Sequence, residues 1–285
     1  MQLDLLPYRA AGAAENMAAD FLLLKRAPAD RARFRHYGWR APAFTFGYSQ
    51  QIAFVRAQLP SFAKATEGAP SGGPFDLCRR ATGGGLVDHR DDWTYALVLP
   101  RGHALEEMRA TQSYRLVHEA LAAALVAQGV PAVLKPVAAQ VEPVDPNGLS
   151  DHGKAAWGQA APPQSGEGHG KAAWGQAAAP QSGAPAGVCF QRAEIFDVCH
   201  ATTGEKLAGA AQKRAKQGML FQGSIWKAAV GGAVDWEKFG DDFAASLAAV
   251  LGAEAAPAPW PEDIGDDALD ALAEGYRAPE WMEFR

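Results

Sequence analysis

The chain has 285 residues, and 27 basic against 32 acidic side chains give a formal net charge of −5, which argues against a basic nucleic-acid-binding surface. Hydrophobic residues make up 48% and charged residues 21%, near globular averages, and no uninterrupted apolar run approaches the ~18 residues that a membrane helix needs. Met1 to Asp4 have no basic stretch leading into an apolar one, so they do not read as a secretory signal, and a cytoplasmic location is expected. Cys78, Cys189 and Cys199 are odd in number and lack paired spacing, which speaks against a disulfide framework and a zinc site.

In chain order, Met17, Phe21, Leu22 and Leu24 predict a short amphipathic helix, and Phe44 to Tyr48 a strand. Phe75 to Cys78 predicts a strand running into Arg79-Arg80-Ala81-Thr82-Gly83-Gly84-Gly85, and Trp93 to Leu99 another strand. Leu105, Met108, Val117, Leu121 and Leu125 recur at helical spacing up to Gly129, which suits a helix terminus, and Ala132 to Leu134 looks extended. His152 to Gly166 and His169 to Gly183 are near-identical 15-residue copies that differ only at Pro162 and Ala179. Two copies are too few to build a solenoid. Residues 139–186 hold 8 Gly and 6 Pro among 48 residues, a low-complexity insert whose ordering would not be offset by burial. His152 and His169 have no partner ligands at fixed spacing, so a tolerated surface insertion is the expectation rather than a metal site. Beyond it, Glu194 to His200 and Lys206 to Gly209 predict a hairpin around Thr203-Gly204, followed by a strand over Met219 to Trp226 and helices over Asp235 to Leu251 and Asp266 to Gly275. The expected fold is mixed α/β, an α+β mixed sheet in one domain made of residues 1–138 and 187–285.

Three residue groups carry candidate chemistry. Gly83, Gly84 and Gly85, beside Arg79, Arg80 and Thr82, serve either tight turns or close backbone approach to a carboxylate or phosphate. The loop is neither a P-loop nor a dinucleotide fingerprint, since no Gly-Lys-Ser/Thr follows and a strand comes next. His89 either packs, sits in solvent or faces the same ligand. Lys206 is either a solvated hairpin lysine or a cation bracketed by small residues at Gly209 and Ala210. Cys189 is either a buried inert thiol or a reactive one.

Together, RRATGGGLVDH (Arg79 to His89), GEKLAGAAQKR (Gly204 to Arg214) and MLFQGSIW (Met219 to Trp226) resemble, in order and spacing, the lipoate/biotin protein ligase catalytic-domain family. ENMAADFLLL (Glu15 to Leu24), FTFGYSQ (Phe44 to Gln50) and YRAPEW (Tyr276 to Trp281) add to the match, which covers nearly the whole chain apart from the insert. Within that family, Cys189-Phe190 looks like the octanoyltransferase branch, in which a cysteine at this place takes the acyl group as a thioester. The resemblance implies that Lys206 contacts the acyl carbonyl or acyl phosphate, while Arg79, Arg80, Thr82, Gly83, Gly84, Gly85, His89, Gly209, Ala210 and Gln222 bind substrate. Many relatives have histidine where this chain has Gln222; a glutamine still hydrogen-bonds a ligand.

The activity implied is octanoyl or lipoyl transfer to a lysine of a lipoyl-domain protein, such as a 2-oxoacid dehydrogenase E2 or the glycine cleavage H protein. The donor would be acyl carrier protein, with no cofactor. Alternatives are an ATP- and Mg²⁺-dependent lipoate–protein ligase passing through lipoyl-AMP, and a non-catalytic acyl-binding protein on the same fold. Neither a metal site nor a nucleic-acid or membrane partner is expected.

Overall fold

The computed structural model describes residues 1–59, 75–136 and 193–284; the repeat insert over 139–186 and Cys189 lie outside them. The described strands are β1 (Gln2–Leu5), β2 (Arg9–Ala11), β3 (Arg31–Trp39), β4 (Ala43–Phe46), β5 (Asp76–Arg79), β6 (Leu86–Asp88), β7 (Asp92–Pro100), β8 (Ala132–Leu134), β9 (Val198–His200), β10 (Lys206–Ala215), β11 (Gly218–Trp226) and β12 (Glu254–Pro257). The helices are α1 (Ala13–Lys25), α2 (Ile52–Gln58), α3 (Ala104–Glu107), α4 (Ala110–Ala127), α5 (Lys227–Val230), α6 (Trp236–Leu251), α7 (Asp266–Arg277) and α8 (Pro279–Met282).

A large mixed sheet runs β12-β1-β3-β7-β11-β10-β9-β8, with β2 beside β3, and a small sheet runs β5-β4-β6. β1 pairs in parallel with β3 and β12, whereas β3, β7, β11, β10, β9 and β8 are successively antiparallel. On β7 the odd positions Trp93, Tyr95, Leu97 and Leu99 pack with Val117, Leu121 and Leu125 of α4 and Phe239, Phe243 and Leu247 of α6. Ala96 and Val98 face the other way, onto Leu23 and Leu24 of α1. β7 is therefore buried on both faces and reads as the continuous apolar run that marks it in the sequence.

Local signals place the helix ends. Asp235 accepts hydrogen bonds from the backbone N–H groups of Glu237 and Lys238 and caps α6. Gly129 has φ +80°, and Val130 N–H closes back onto the Leu125 carbonyl, so α4 ends where the glycine predicts. The turn around Gly204, φ +71°, joins β9 to β10 as expected.

β3 has no counterpart among the expected elements. Its sequence RARFRHYGW places arginines at alternate positions, which suggests a solvated segment, yet Arg35 is buried. The strand tolerates it because Arg35 donates to Asn16 Oδ1 at 2.7 Å and its Nε lies 3.1 Å from Asp20 Oδ1, both on α1. β12, EAAP, has little intrinsic strand tendency and exists as a parallel addition to β1.

Candidate active site

Side chains on a strand alternate between faces, so register decides which residues share a surface. Tyr37 lies opposite Thr94, Thr94 opposite Ser224, Ala96 opposite Gln222, Ser224 opposite Gly209 and Gln222 opposite Ala211. These residues share one face of the large sheet. Gly209 and Ala211 add almost no bulk, which leaves space above them. The small sheet closes that space with Thr45 from β4, Arg80 just after β5 and His89 just after β6. Together with Met17, Gly84, Lys206 and neighbours they line a cavity of about 60 Å³. Gly47 permits the closure, since a Cβ there would collide with the Gly84 carbonyl.

Two polar clusters and one ion pair set the chemistry of the wall. In the first cluster, Asp92 Oδ2 bonds His89 Nδ1 at 2.6 Å and accepts from Thr94 Oγ1 at 2.8 Å and from Ser224 Oγ. His89 Nε2 lies 2.7 Å from Thr45 Oγ1, and Arg80 Nη1 donates to the same hydroxyl at 2.8 Å. Arg80 Nη2 donates to the carbonyls of Gly83 and Gly85. Trp39 stacks on His89 with centroids 4.1 Å apart and donates from Nε1 to Thr94 Oγ1. The Asp92 side chain is 1% exposed and that of His89 5%, so the pair meets little water and is screened weakly.

In the second cluster, Gln222 accepts from Thr82 Oγ1 at 2.7 Å and donates from Nε2 to Asp20 Oδ2 at 2.7 Å. Tyr37 donates its hydroxyl to the same carboxylate oxygen. Burial of Asp20 raises its pKa, while Arg35, Gln222 and Tyr37 oppose that shift. A carboxylate behind the wall asks its neighbour for a hydrogen-bond donor. The Gln222 amide supplies one with its opposite end fixed on Thr82, a donor that needs no imidazole.

The third feature is Lys206, whose Nζ lies 2.7 Å from Asp197 Oδ2. Tyr114 of α4 donates its hydroxyl to Asp197 Oδ1 at 2.5 Å and accepts the Ala210 N–H at 3.0 Å. That backbone N–H is therefore occupied by protein and is not an open donor for an oxyanion. A Cβ on Gly209 would lie 2.7 Å from Lys206 Nζ, which gives the glycine a reason beyond turn geometry.

Of the expected substrate-binding residues, Arg80, Gly84, His89, Gly209, Ala210 and Gln222 line the cavity with Lys206. Thr82 stands behind Gln222, and Gly83 and Gly85 hold Arg80. Arg79 is turned elsewhere. Its buried guanidinium donates to the carbonyls of Tyr48, Gln50, Trp281 and Met282 and stacks over Phe46, joining the YRAPEW segment to the small sheet. Consecutive residues leaving a strand point to opposite sides, so of the Arg79-Arg80 pair only Arg80 reaches the cavity. Cys189 lies outside the described residues. The two described cysteines are buried; burial pushes the Cys78 thiol up to about 12 and raises that of Cys199.

Sequence reasoning missed Asp20, Thr45, Asp92, Tyr114 and Asp197. For Asp92 a local signal existed: it shares strand parity with Thr94 at the head of a predicted strand. Among the described residues, no group of three or more His, Cys, Asp or Glu is disposed to hold a metal ion, and no helix is long and apolar enough to cross a membrane.

No family model matches the chain. Octanoyltransferase LipM of Symbiobacterium thermophilum is 27% identical over 196 residues, 67% of this chain and 52% of that protein. The chain spans about half the length of the curated relatives it matches. The crystal structure of lipoate-protein ligase A bound with ATP superposes with a TM-score of 0.63 at 16% identity over the full length of both chains. The bipartite lipoate protein ligase of Thermoplasma acidophilum, from work that also describes its E2 lipoyl domain, gives 0.63 at 15% identity over 100% of this chain and 98% of that one. The two sheets, with the cavity between them, thus have the fold of lipoate–protein ligases. The LipM relatives match across 67% and 74% of the chain at 27% and 26% identity, so the chain is similar in sequence to octanoyltransferases and in fold to lipoate–protein ligases.

Proposed function

We propose that the protein is an acyltransferase that carries an octanoyl or lipoyl group from an acyl carrier protein thioester to a lysine of a lipoyl-domain protein. The observation that carries this reading is Lys206, a cation held in place by Asp197 and Tyr114 at the edge of a cavity floored by Gly209, Ala210 and Ala211. Such a wall suits an acyl chain, and the Lys206 ammonium suits the oxyanion that forms when an acyl carbonyl is attacked. Cys189 is the proposed acyl carrier. Its sulfur attacks the thioester and releases the carrier's thiol; an acceptor lysine amine then attacks the acyl–Cys189 carbonyl and releases the cysteine thiol. One transfer becomes two shorter ones. The acceptors are lipoyl domains such as those of 2-oxoacid dehydrogenase E2 and the glycine cleavage H protein, and the compartment is the cytoplasm.

The alternative is a ligase that uses ATP and Mg²⁺, suggested by the ATP-bound structural neighbour. The described wall fits a triphosphate poorly. Its Lys and Arg side chains are Arg80, bonded to Thr45 and two carbonyls, and Lys206, paired with Asp197. Asp20 and Asp92 stand behind the same wall. A neutral thioester needs no uncommitted cations of this kind.

The deciding assay supplies purified protein and a lipoyl-domain acceptor with octanoyl–acyl carrier protein, or with lipoate, ATP and Mg²⁺, and follows acceptor mass. Acylation from the carrier thioester, lost in Cys189→Ala, is expected. Undiminished carrier-dependent transfer by Cys189→Ala overturns the cysteine route, acylation only with lipoate and ATP overturns the transferase reading, and acylation from neither donor leaves a binding protein.

A further inference from the structure

We propose that Thr45, His89 and Asp92 form a proton relay that takes a proton from the acceptor amine as it attacks the acyl group; the proposal rests on the acyl-transfer reading above. A lysine side chain reaches a carbonyl as a nucleophile only after shedding a proton, and it must lose another once the C–N bond has formed. Lys206 is badly placed to accept either. Its Nζ offers hydrogens to Asp197 at 2.7 Å and so acts as a donor. Asp20, Asp92 and Asp197 are absent from the cavity lining. Among the described lining residues, His89 is the one that carries a ring nitrogen able to accept a proton.

The hydrogen bonds fix which nitrogen that is. Asp92 Oδ2 already receives hydroxyl hydrogens from Thr94 and Ser224, so it acts as an acceptor towards His89 as well, and His89 carries its hydrogen on Nδ1. The Nε2 lone pair is then directed at Thr45 Oγ1, 2.7 Å away. A hydroxyl has one hydrogen and two lone pairs. Thr45 gives its hydrogen to His89 Nε2, and one of its lone pairs receives Arg80 Nη1. One lone pair remains, on a side chain that lines the cavity.

The acceptor N–H passes its proton to Thr45 Oγ1 while the Thr45 proton moves to His89 Nε2. The nitrogen lone pair forms the C–N bond, and the C–S bond breaks with its electrons on sulfur. The second nitrogen proton goes to the departing thiolate, and His89 returns its proton to solvent. Asp92 stabilises the imidazolium in between, the division of labour found wherever a buried carboxylate backs a histidine base. The first proton transfer would be the same with an acyl-adenylate, where the C–O bond breaks with its electrons on the phosphate and the second nitrogen proton goes to solvent.

The test compares two acceptors: the lysine of a lipoyl domain, and hydroxylamine, which is already unprotonated near neutral pH. His89→Gln and Thr45→Val are expected to lower kcat for the lysine acceptor on the order of 10²–10⁴-fold with little change in KM, while transfer to hydroxylamine falls less than about tenfold. Thr45→Ser, which restores the hydroxyl, is expected to recover most of the rate lost in Thr45→Val even if His89→Gln folds poorly. Equal losses for both acceptors, or a Thr45→Val enzyme that retains its rate with lysine, overturn the relay. Absence of acyl transfer by the unmodified protein from either donor overturns the acyl-transfer reading instead, and the relay with it.

Discussion

Gly209 occupies a strand position that any L-residue could adopt, so its role lies in what it leaves empty. A methyl group there would lie 2.7 Å from Lys206 Nζ and 3.1 Å from Asp197 Oδ1. The Lys206 ammonium ends a flexible side chain but is buried and paired with Asp197, so Gly209→Ala is expected to lower stability by about 1 kcal/mol. Displacing a reacting group by about 1 Å lowers turnover on the order of 10²-fold, and kcat for acyl transfer should fall accordingly. Urea unfolding and steady-state kinetics on the same preparation check both halves. Wild-type kcat in a normally folded Gly209→Ala protein would show that the position of the ammonium is unimportant.

Secondary-structure elements act as struts for these residues, and α4 is the clearest case. Tyr114 and His118 lie one helical turn apart with ring centroids at 4.1 Å. Tyr114 holds Asp197, and His118 Nδ1 bonds the Phe196 carbonyl at 2.7 Å, so one helix face grips two consecutive residues behind Lys206. Phe196 has φ +67°, a strained conformation for an aromatic residue that such a grip sustains. Burial lowers the His118 pKa from 6.5 to about 4, opposed by the Phe196 hydrogen bond and by Asp197, and assisted by Lys206. A group whose folded pKa is depressed favours the native state above its unfolded pKa and loses that contribution as pH falls through the folded value. His118 therefore stabilises the protein fully near pH 7 and progressively less between pH 6.5 and about 4, by roughly 3 kcal/mol at most. Urea midpoints measured across this window should fall less steeply in His118→Gln than in the parent. Identical slopes would place the acid sensitivity elsewhere.

At the scale of the molecule, an aromatic layer holds α6 to the large sheet. Phe243 meets Phe34, Trp93, Tyr95 and Phe239 at centroid distances of 5.1–6.1 Å and is fully buried. Phe243→Ala is expected to reduce unfolding free energy by about 3–5 kcal/mol, read from urea denaturation; a loss below about 1 kcal/mol would mean the layer repacks. β7, α4 and α6 were legible in the sequence because their apolar residues repeat at strand and helix spacing. β3 was not, since a buried Arg35 looks like a surface arginine until α1 supplies Asp20 and Asn16. The candidate site divides in the same way. Arg80, Gly84 and Lys206 sit in short runs of unusual composition, whereas Asp20, Asp92 and Asp197 are single carboxylates whose meaning comes from partners brought in by other strands and helices. Arg79 and Arg80 are indistinguishable in composition, and only strand geometry sends one to the cavity and the other to a backbone clamp.

That clamp has a consequence for synthesis on the ribosome. Among the described residues Ser224 is the last cavity-lining one to be made, yet Arg79 reaches carbonyls 202 and 203 residues downstream, and β1 waits for β12 to cover its far edge. A nascent chain holding every described cavity residue thus still has a buried-type guanidinium without Trp281 and Met282 and a strand with an unpaired border. Contacts this distant along the chain form late, so the cavity should mature only after the polypeptide beyond Met282 has been threaded out.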